Sequence, residues 1–364
     1  LPGNSHDDKK EFLADISSLA NTEGGDLLFG LTEIKGKLQD EIGLEMDSTD
    51  GEIARLENMA RDGISPRIAL SIHSVEVAGK KVIIVRTRAS LEAPHRVTLE
   101  GHDKFYRRNS NGKYPMDVSE LRSAFLQSGE LIERIKRFRS VRIADIKAGE
   151  NPIPTLDTSV FLAIHILPLV SFSTSSRIDH KQVSSLRTGA YHTFQPFHIG
   201  GGYSHGINLD GVVVFNSGNG EYENLGSYTQ LYRDGRIEGF ENYTLSYRLN
   251  TGSRKLPMGW IEKSSIEYVE KMIKLLLGFD LQPPFYVFLS LVGIKDFTIG
   301  KPSGFIYDET DPIIQNELLL PEVVIENISE NLGTKLKPVF DMIWNAGGVS
   351  QSLNFDEDGN FKIT

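Results

Sequence analysis

The residues of this chain best suited to chemistry are cations interleaved with aromatic rings. Lys104, Phe105, Tyr106, Arg107 and Arg108 set two rings among three positive charges, and Arg86 and Arg88 lie two apart in an apolar run. Successive side chains of a strand point to opposite faces. Arg86 and Arg88 therefore share a face, whereas only one of Arg107 and Arg108 can join a surface with Lys104 or Arg86. A cation beside a ring can contact a phosphate and stack on an unpaired base. The plain alternative is a solvated strand edge with local salt bridges. Arg134, Lys136, Arg137, Arg139 and Arg142 form a further basic run, suited either to tracking a phosphate backbone or to a solvated helix face.

Acids and histidines offer less. Glu33 follows an apolar run and Glu23 sits at the turn before it, so both read as loop acids or, for Glu33, as one ligand of a metal site. A metal-dependent nuclease needs several carboxylates converging on a cation. His192, His198 and His205 precede Asp210, but spacings of 6 and 7 residues match no standard zinc motif. Asp179, His180, Ser175 and Ser176 lack the Gly-x-Ser-x-Gly context of a hydrolase nucleophile. His165, inside an apolar run, reads as a hydrogen-bonded core histidine. Gly24 and Gly25 are followed by no Gly-Lys-Ser/Thr, so a P-loop is excluded. They fit a tight turn or a close backbone approach, and Asn21 fits a helix end. No metal site is assigned.

The elements that must position these groups can be read from periodicity. Phe12, Ile16, Leu19 and Ala20 recur on one face of a helix over 7–20, and a strand follows at 26–31. Residues 35–50 read as a charged loop. A helix follows with Ile53, Leu56, Met59 and Ala60 on one side. A hairpin is expected over 69–77 and 81–88, a strand at 105–108, and a helix at 117–126 that continues past Gly129. Strands are expected at 159–170, 211–215, 227–233, 235–240, 243–249 and 285–292. Helices are expected at 261–277 and 336–344. The pattern predicts a mixed α/β (α+β) chain with domains at 1–146 and 159–364, joined by a Pro- and Gly-containing linker at 147–158.

The 364 residues suffice for two such cores. The chain contains no cysteine, which excludes disulfides and thiol chemistry and makes a cytoplasmic location the default. No apolar run reaches the roughly 18 residues of a membrane span. Net charge is −10, yet residues 80–147 hold 16 Lys/Arg against 8 Asp/Glu. A local positive field on an acidic protein suits a phosphate-binding groove.

FLADISSLANTEGGDLLFGLTE, at 12–33, resembles the central motif of the Schlafen AlbA_2 domain, an Alba-like nucleic-acid-binding domain formerly called divergent AAA-4. Phe105 to Arg108 and Ser110 resemble its downstream Tyr-Val-Arg-Gly-Ser element. The likeness covers about residues 7–126. It implies an α/β fold and, for bacterial members, nucleic-acid binding, with a transcriptional-regulator role among the uses. Eukaryotic Schlafen relatives include RNA endonucleases with a carboxylate cluster. Of those carboxylates only the strand-end one has a match, Glu33. The other two belong to an element upstream of Leu1, so cleavage is expected only with acids from a longer protein or from a second chain.

The expectation is a nucleic-acid-binding protein, for DNA or RNA, using Arg86, Arg88, Lys104, Arg107, Arg108, Arg137 and Arg139. No cofactor is expected, with Mg²⁺ or Mn²⁺ only under the nuclease alternative. No membrane partner is expected, and a homo-oligomer is compatible. The other alternative is a protein-interaction or scaffold module.

Overall fold

Residues 1–34, 37–44, 48–68, 70–77, 79–90, 92–153, 157–172, 178, 194–198, 203–217, 226–300, 310–356 and 358–362 are described by the structure, a computed structural model. The chain divides into two units, Leu1–Glu133 and Arg134–Thr364.

The first unit begins with α1 (His6–Ala20). Ser5 caps it, its Oγ accepting from Asp8 N at 3.1 Å, and Asp7 and Asp8 complement the positive end of the helix dipole. The predicted apolar stripe is inward, with Phe12, Leu13, Ile16, Leu19 and Ala20 buried. Strands β1 (Gly24–Phe29), β2 (Leu31–Ile34) and β3 (Lys37–Ile42) follow, so part of the stretch read as a loop is a strand pairing with β2. Helix α2 (Thr49–Gly63), capped by Ser48, buries Leu56 and Ala60. Next come β4 (Ile64–Ser65), β5 (Leu70–Val77), β6 (Lys80–Arg88), β7 (Arg96–Val97), β8 (Lys104–Asn109) and β9 (Gly112–Pro115).

In addition to the two-stranded β2-β3 pair, two larger antiparallel sheets result, one ordered β1-β6-β5 and one ordered β4-β7-β8-β9. Alternation along β6 sends Ile83 and Val85 into a core shared with α1 and α2, and leaves Arg86 exposed on the opposite face. Helix α3 (Val118–Lys147) runs without a break through Gly129. Its start is a reciprocal capping box: Asp117 N donates to Glu120 Oε2 at 3.0 Å and Glu120 N donates to Asp117 Oδ1 at 2.8 Å.

The second unit is built on one antiparallel sheet. Its strands are β10 (Phe161–Pro168), β11 (Ser204–Ile207), β12 (Gly211–Ser217), β13 (Gly226–Tyr232) and β14 (Ile237–Glu241). Helix α4 (Tyr243–Asn250) and β15 (Lys255–Leu256) lead to α5 (Met258–Gly278) and β16 (Phe285–Val292). The chain continues through β17 (Thr298–Ile299), β18 (Glu317–Leu319) and β19 (Val323–Ile325) to α6 (Leu332–Ala346). The spatial order is β11-β12-β13-β14-β10-β16-β18, with β19 also on β16. Strand β10 reads as a continuous apolar run because both its faces are covered. Leu162, Ile164 and Ile166 meet the core of α5 and α6, while Phe161 and Ala163 meet Ile143 and Ile146 of α3.

One expectation is corrected here. Residues 243–249 form α4, not a strand. The Glu241 carboxylate accepts from Thr244 N at its first turn, and Tyr243 and Tyr247 stack one turn apart, with centroids separated by 6.1 Å. Aromatic and β-branched residues raise strand propensity, but local capping and burial of Leu245 decide the outcome.

Candidate nucleic-acid interface

The end of α1 is the point that holds the two small sheets together. Asn21 N–H closes the helix onto Ser17 O, and its side chain, instead of capping, reaches across the unit. Its Oδ1 accepts from His95 N at 2.6 Å, while Nδ2 donates to His95 O at 3.0 Å and Tyr106 O at 2.9 Å. All three bonds are buried, so each satisfies a backbone group that water cannot reach. Ala20 O accepts from Ser90 N just beyond β6, and Thr22 Oγ1 accepts from Arg108 N on β8. Burial pushes the neighbouring His95 imidazole below its ordinary pKa.

Gly24 and Gly25 are fixed by close approach as well as by turn geometry. Gly24 has φ +80°, and a Cβ there would sit 2.8 Å from Thr87 O. At Gly25, with φ +154°, it would sit 2.8 Å from Leu19 Cδ2. Strand β1 thus lies against both β6 and α1 only because these positions lack a side chain.

The structure sorts the expected cations by their partners. Arg86 grips Asp26 across the β1–β6 pair through two bonds of 2.9 Å, and that guanidinium holds the Asp26 carboxyl below its usual range. Arg88 shares the Arg86 face, half-buried opposite Gly24. On β8, Tyr106 points into the core and Arg108, two residues on, bonds Asp15 of α1 at 3.3 Å. Lys113 on β9 adds a second cation to Asp15 at 2.8 Å and also bonds Glu11.

Phe105 and Arg107 take the other face of β8, opposite Arg96 and Tyr114. Among the described residues, neither Lys104 nor Arg107 makes an ion pair or side-chain hydrogen bond. Arg137 and Arg139 lie in the second unit. Arg137 is exposed, while Arg139 donates to Leu320 O at 2.9 Å, lies 5.0 Å over the Phe288 ring and has its pKa lowered by burial. Arg86 and Arg88 stand on one small sheet, and Lys104, Arg107 and Arg108 on the other.

Glu33 lies in β2, with its backbone opposite Leu38; its side chain is outside the described residues. So are Ser175, Ser176, Asp179, His180 and His192. His198 stacks on Tyr243 at 5.9 Å and meets the Trp260 ring at 5.6 Å, and His205 contacts Tyr203. No three His, Asp or Glu side chains converge as a metal site would require among the described residues. His165 is the expected core histidine, its Nε2 bonded to Glu238 at 3.0 Å.

Sequence reasoning missed the neutralising acids Glu11, Asp15 and Asp26, which reach their cations only through tertiary pairing. It also missed Arg122 and Phe125 as surface groups. Phe125 belongs to a stripe with Val118 that reads as a helix's apolar side, yet the two are 60% and 73% exposed. Nothing local signals this, because a solvent-facing stripe and a buried one share the same spacing.

Residues 3–117 match the family described as Schlafen, AlbA_2. An AlbA_2/Schlafen-like domain thus occupies the N-terminal third of the chain, and such a domain suggests a nucleic-acid-related function in general. No curated protein matches the chain. Among solved structures, the crystal structure of the DIP2311 protein from Corynebacterium diphtheriae is similar at 23% identity with a TM-score of 0.26. That likeness covers 33% of this chain and 19% of the other. Among the described residues, no helix is long and apolar enough to cross a membrane.

Proposed function

We propose that this chain binds DNA or RNA through cations of its AlbA_2-like domain, with Arg107, on the face of β8 opposite Tyr106 and Arg108, as the principal phosphate contact. The observation that supports this is the division among the cations of the first unit. Arg86 and Arg108 are neutralised by Asp26 and Asp15, whereas Arg107 and Lys104 have no ion pair among the described residues. A cation already paired must give up its carboxylate before it gains a phosphate; an uncommitted one gains the phosphate and releases the counterion. Arg86, already paired, contributes more weakly than Arg107.

Fluorescence anisotropy across a salt series, with DNA and RNA probes, tests the assignment. Arg107→Glu is expected to weaken binding by about tenfold and to flatten the slope of log K against log salt by about 1. Arg86→Glu should do less. Equal affinity of wild type and Arg107→Glu for every probe would show that β8 is not the contact surface.

A further inference from the structure

The face of β8 that carries Arg107 also carries a feature that phosphate binding alone does not use. Phe105 meets Phe125 of α3 edge to face, with centroids 6.2 Å apart and ring planes at 75°. That contact covers one edge of the Phe125 ring, yet 60% of the residue remains open to water. An exposed phenyl ring forgoes the gain of burial, and with Val118 and Leu126 exposed on the same helix it is not a single scattered residue.

The rim of this ring indicates the kind of partner. Arg107 lies two residues beyond Phe105 on the same face of β8, and Arg96 lies directly opposite Phe105 on β7. Arg122 sits one turn before Phe125 on α3, exposed and without an ion pair among the described residues. Arg96 reaches Asp103 only at 3.5 Å. The acids at the start of α3 are committed elsewhere: Asp117 and Glu120 cap the helix, and Glu120 Oε1 accepts from the Tyr114 hydroxyl at 2.9 Å. A flat ring bordered by arginines fits a polyanion that also offers flat, apolar faces.

Duplex nucleic acid presents its phosphates but keeps its base faces stacked inside, whereas a single strand presents both. We propose that this face takes a single-stranded segment of nucleic acid, with an unpaired base stacked on Phe125 and the flanking phosphates on Arg107 and Arg122. The proposal rests on the nucleic-acid reading above and names the strand state that the site selects.

The test compares affinities of the full chain for labelled single-stranded DNA and RNA oligonucleotides and for blunt duplexes of the same sequence. Wild type is expected to prefer the single strands. Phe125→Ala should lower the ratio of single-strand to duplex affinity by about tenfold, within the range set by base–aromatic stacking. Phe125→Trp should restore the ratio, because a larger ring stacks at least as well. Phe125 is largely exposed, so an unchanged thermal midpoint is expected and would certify folding of both variants.

A Phe125→Ala ratio equal to that of wild type overturns the proposal. So does a wild-type oligomer that Phe125→Ala dissociates in light scattering while the ratio stays constant, since the ring would then be a contact between proteins. Loss of binding in Arg107→Glu with an unmoved Phe125→Ala ratio sinks only the strand preference. Absence of salt-sensitive binding by wild type to every probe sinks the nucleic-acid reading itself.

Discussion

The two units treat charge in opposite ways. In the first, the ion pairs of the cationic strands are partly exposed and each joins one strand to a neighbouring element: Arg86 to Asp26, Arg108 to Asp15. In the second, the principal charge network is sealed inside the sheet. Glu238 accepts from Arg142 Nε at 2.8 Å and Nη2 at 3.0 Å, from His165 Nε2 at 3.0 Å and from the Tyr228 hydroxyl at 2.8 Å. Both its oxygens are saturated, and Glu238, His165 and Tyr228 are fully buried. A sealed network fixes one arrangement of α3 against β10 and β14, with the buried His165 Nδ1 left without a hydrogen-bond partner among the described residues. Exposed pairs cost little to open. Functional charge is therefore sought in the first unit, and structural charge in the second.

The sharpest way to break this contrast is to remove one member of the sealed network. Arg142→Ala leaves Glu238 buried without its principal counter-charge, and removing one partner of a buried pair costs about 3–5 kcal/mol. Denaturant unfolding of the full chain should show this loss in the transition of the second unit. A loss below about 1 kcal/mol would mean that water reaches Glu238 and that the network resembles the surface pairs. Burial opposes its charge, but its hydrogen bonds and the Arg142 guanidinium outweigh that cost and hold the Glu238 carboxyl at about 2. Its stabilisation is present above the ordinary carboxylate range and is lost only as pH falls toward 2.

A second buried acid sharpens the comparison with the opposite sign. Glu241 has no cationic partner among the described residues; burial raises its pKa from 4.5 to about 7, against hydrogen bonds from the backbone and side chain of Thr244. The folded state therefore holds a proton that the unfolded state releases between those values. Stability should fall as pH rises from 4.5 to 7 and then level off, by on the order of 3 kcal/mol. Glu241→Gln should remove that slope in unfolding curves taken across this window. A stability that rises with pH through the same range in wild type alone would contradict the assignment.

Much of this architecture was legible because periodicity reports burial. Strands β6, β10 and β16 and helices α1 and α5 fall close to where their apolar patterns put them. The hairpin of β13 and β14 follows from Asp234-Gly235, where Gly235 has φ +91°. The short β7 and β9 escaped notice, since two to four residues carry no period. What sequence could not show is which cations are neutralised. Arg108 and Asp15 are 93 residues apart, and Arg86 and Asp26 are 60 apart. Their pairing depends on β8 packing beside α1 and on the β1–β6 register, neither of which has a local signal. Asn21 escaped for the same reason: it looks like a helix end, and its role as a clip needs His95 and Tyr106 beside it.

The smallest expected effect probes the exposed pairs directly. Asp26→Asn and Asp15→Asn each remove a negative charge while keeping an acceptor oxygen, so the loss of stability should stay within about 1 kcal/mol, as for other solvent-accessible pairs. Binding should respond in the other direction. Each substitution takes one carboxylate away from an arginine, raising affinity for a nucleic-acid probe a few-fold at low salt and steepening the salt slope by up to about 1. Asp15→Asn should give the smaller gain, because Lys113 shares that carboxylate and Glu11 still holds Lys113. Unchanged affinity in both variants would mean that Arg86 and Arg108 serve the sheets alone. The binding surface would then narrow to the face of β8 that carries Arg107.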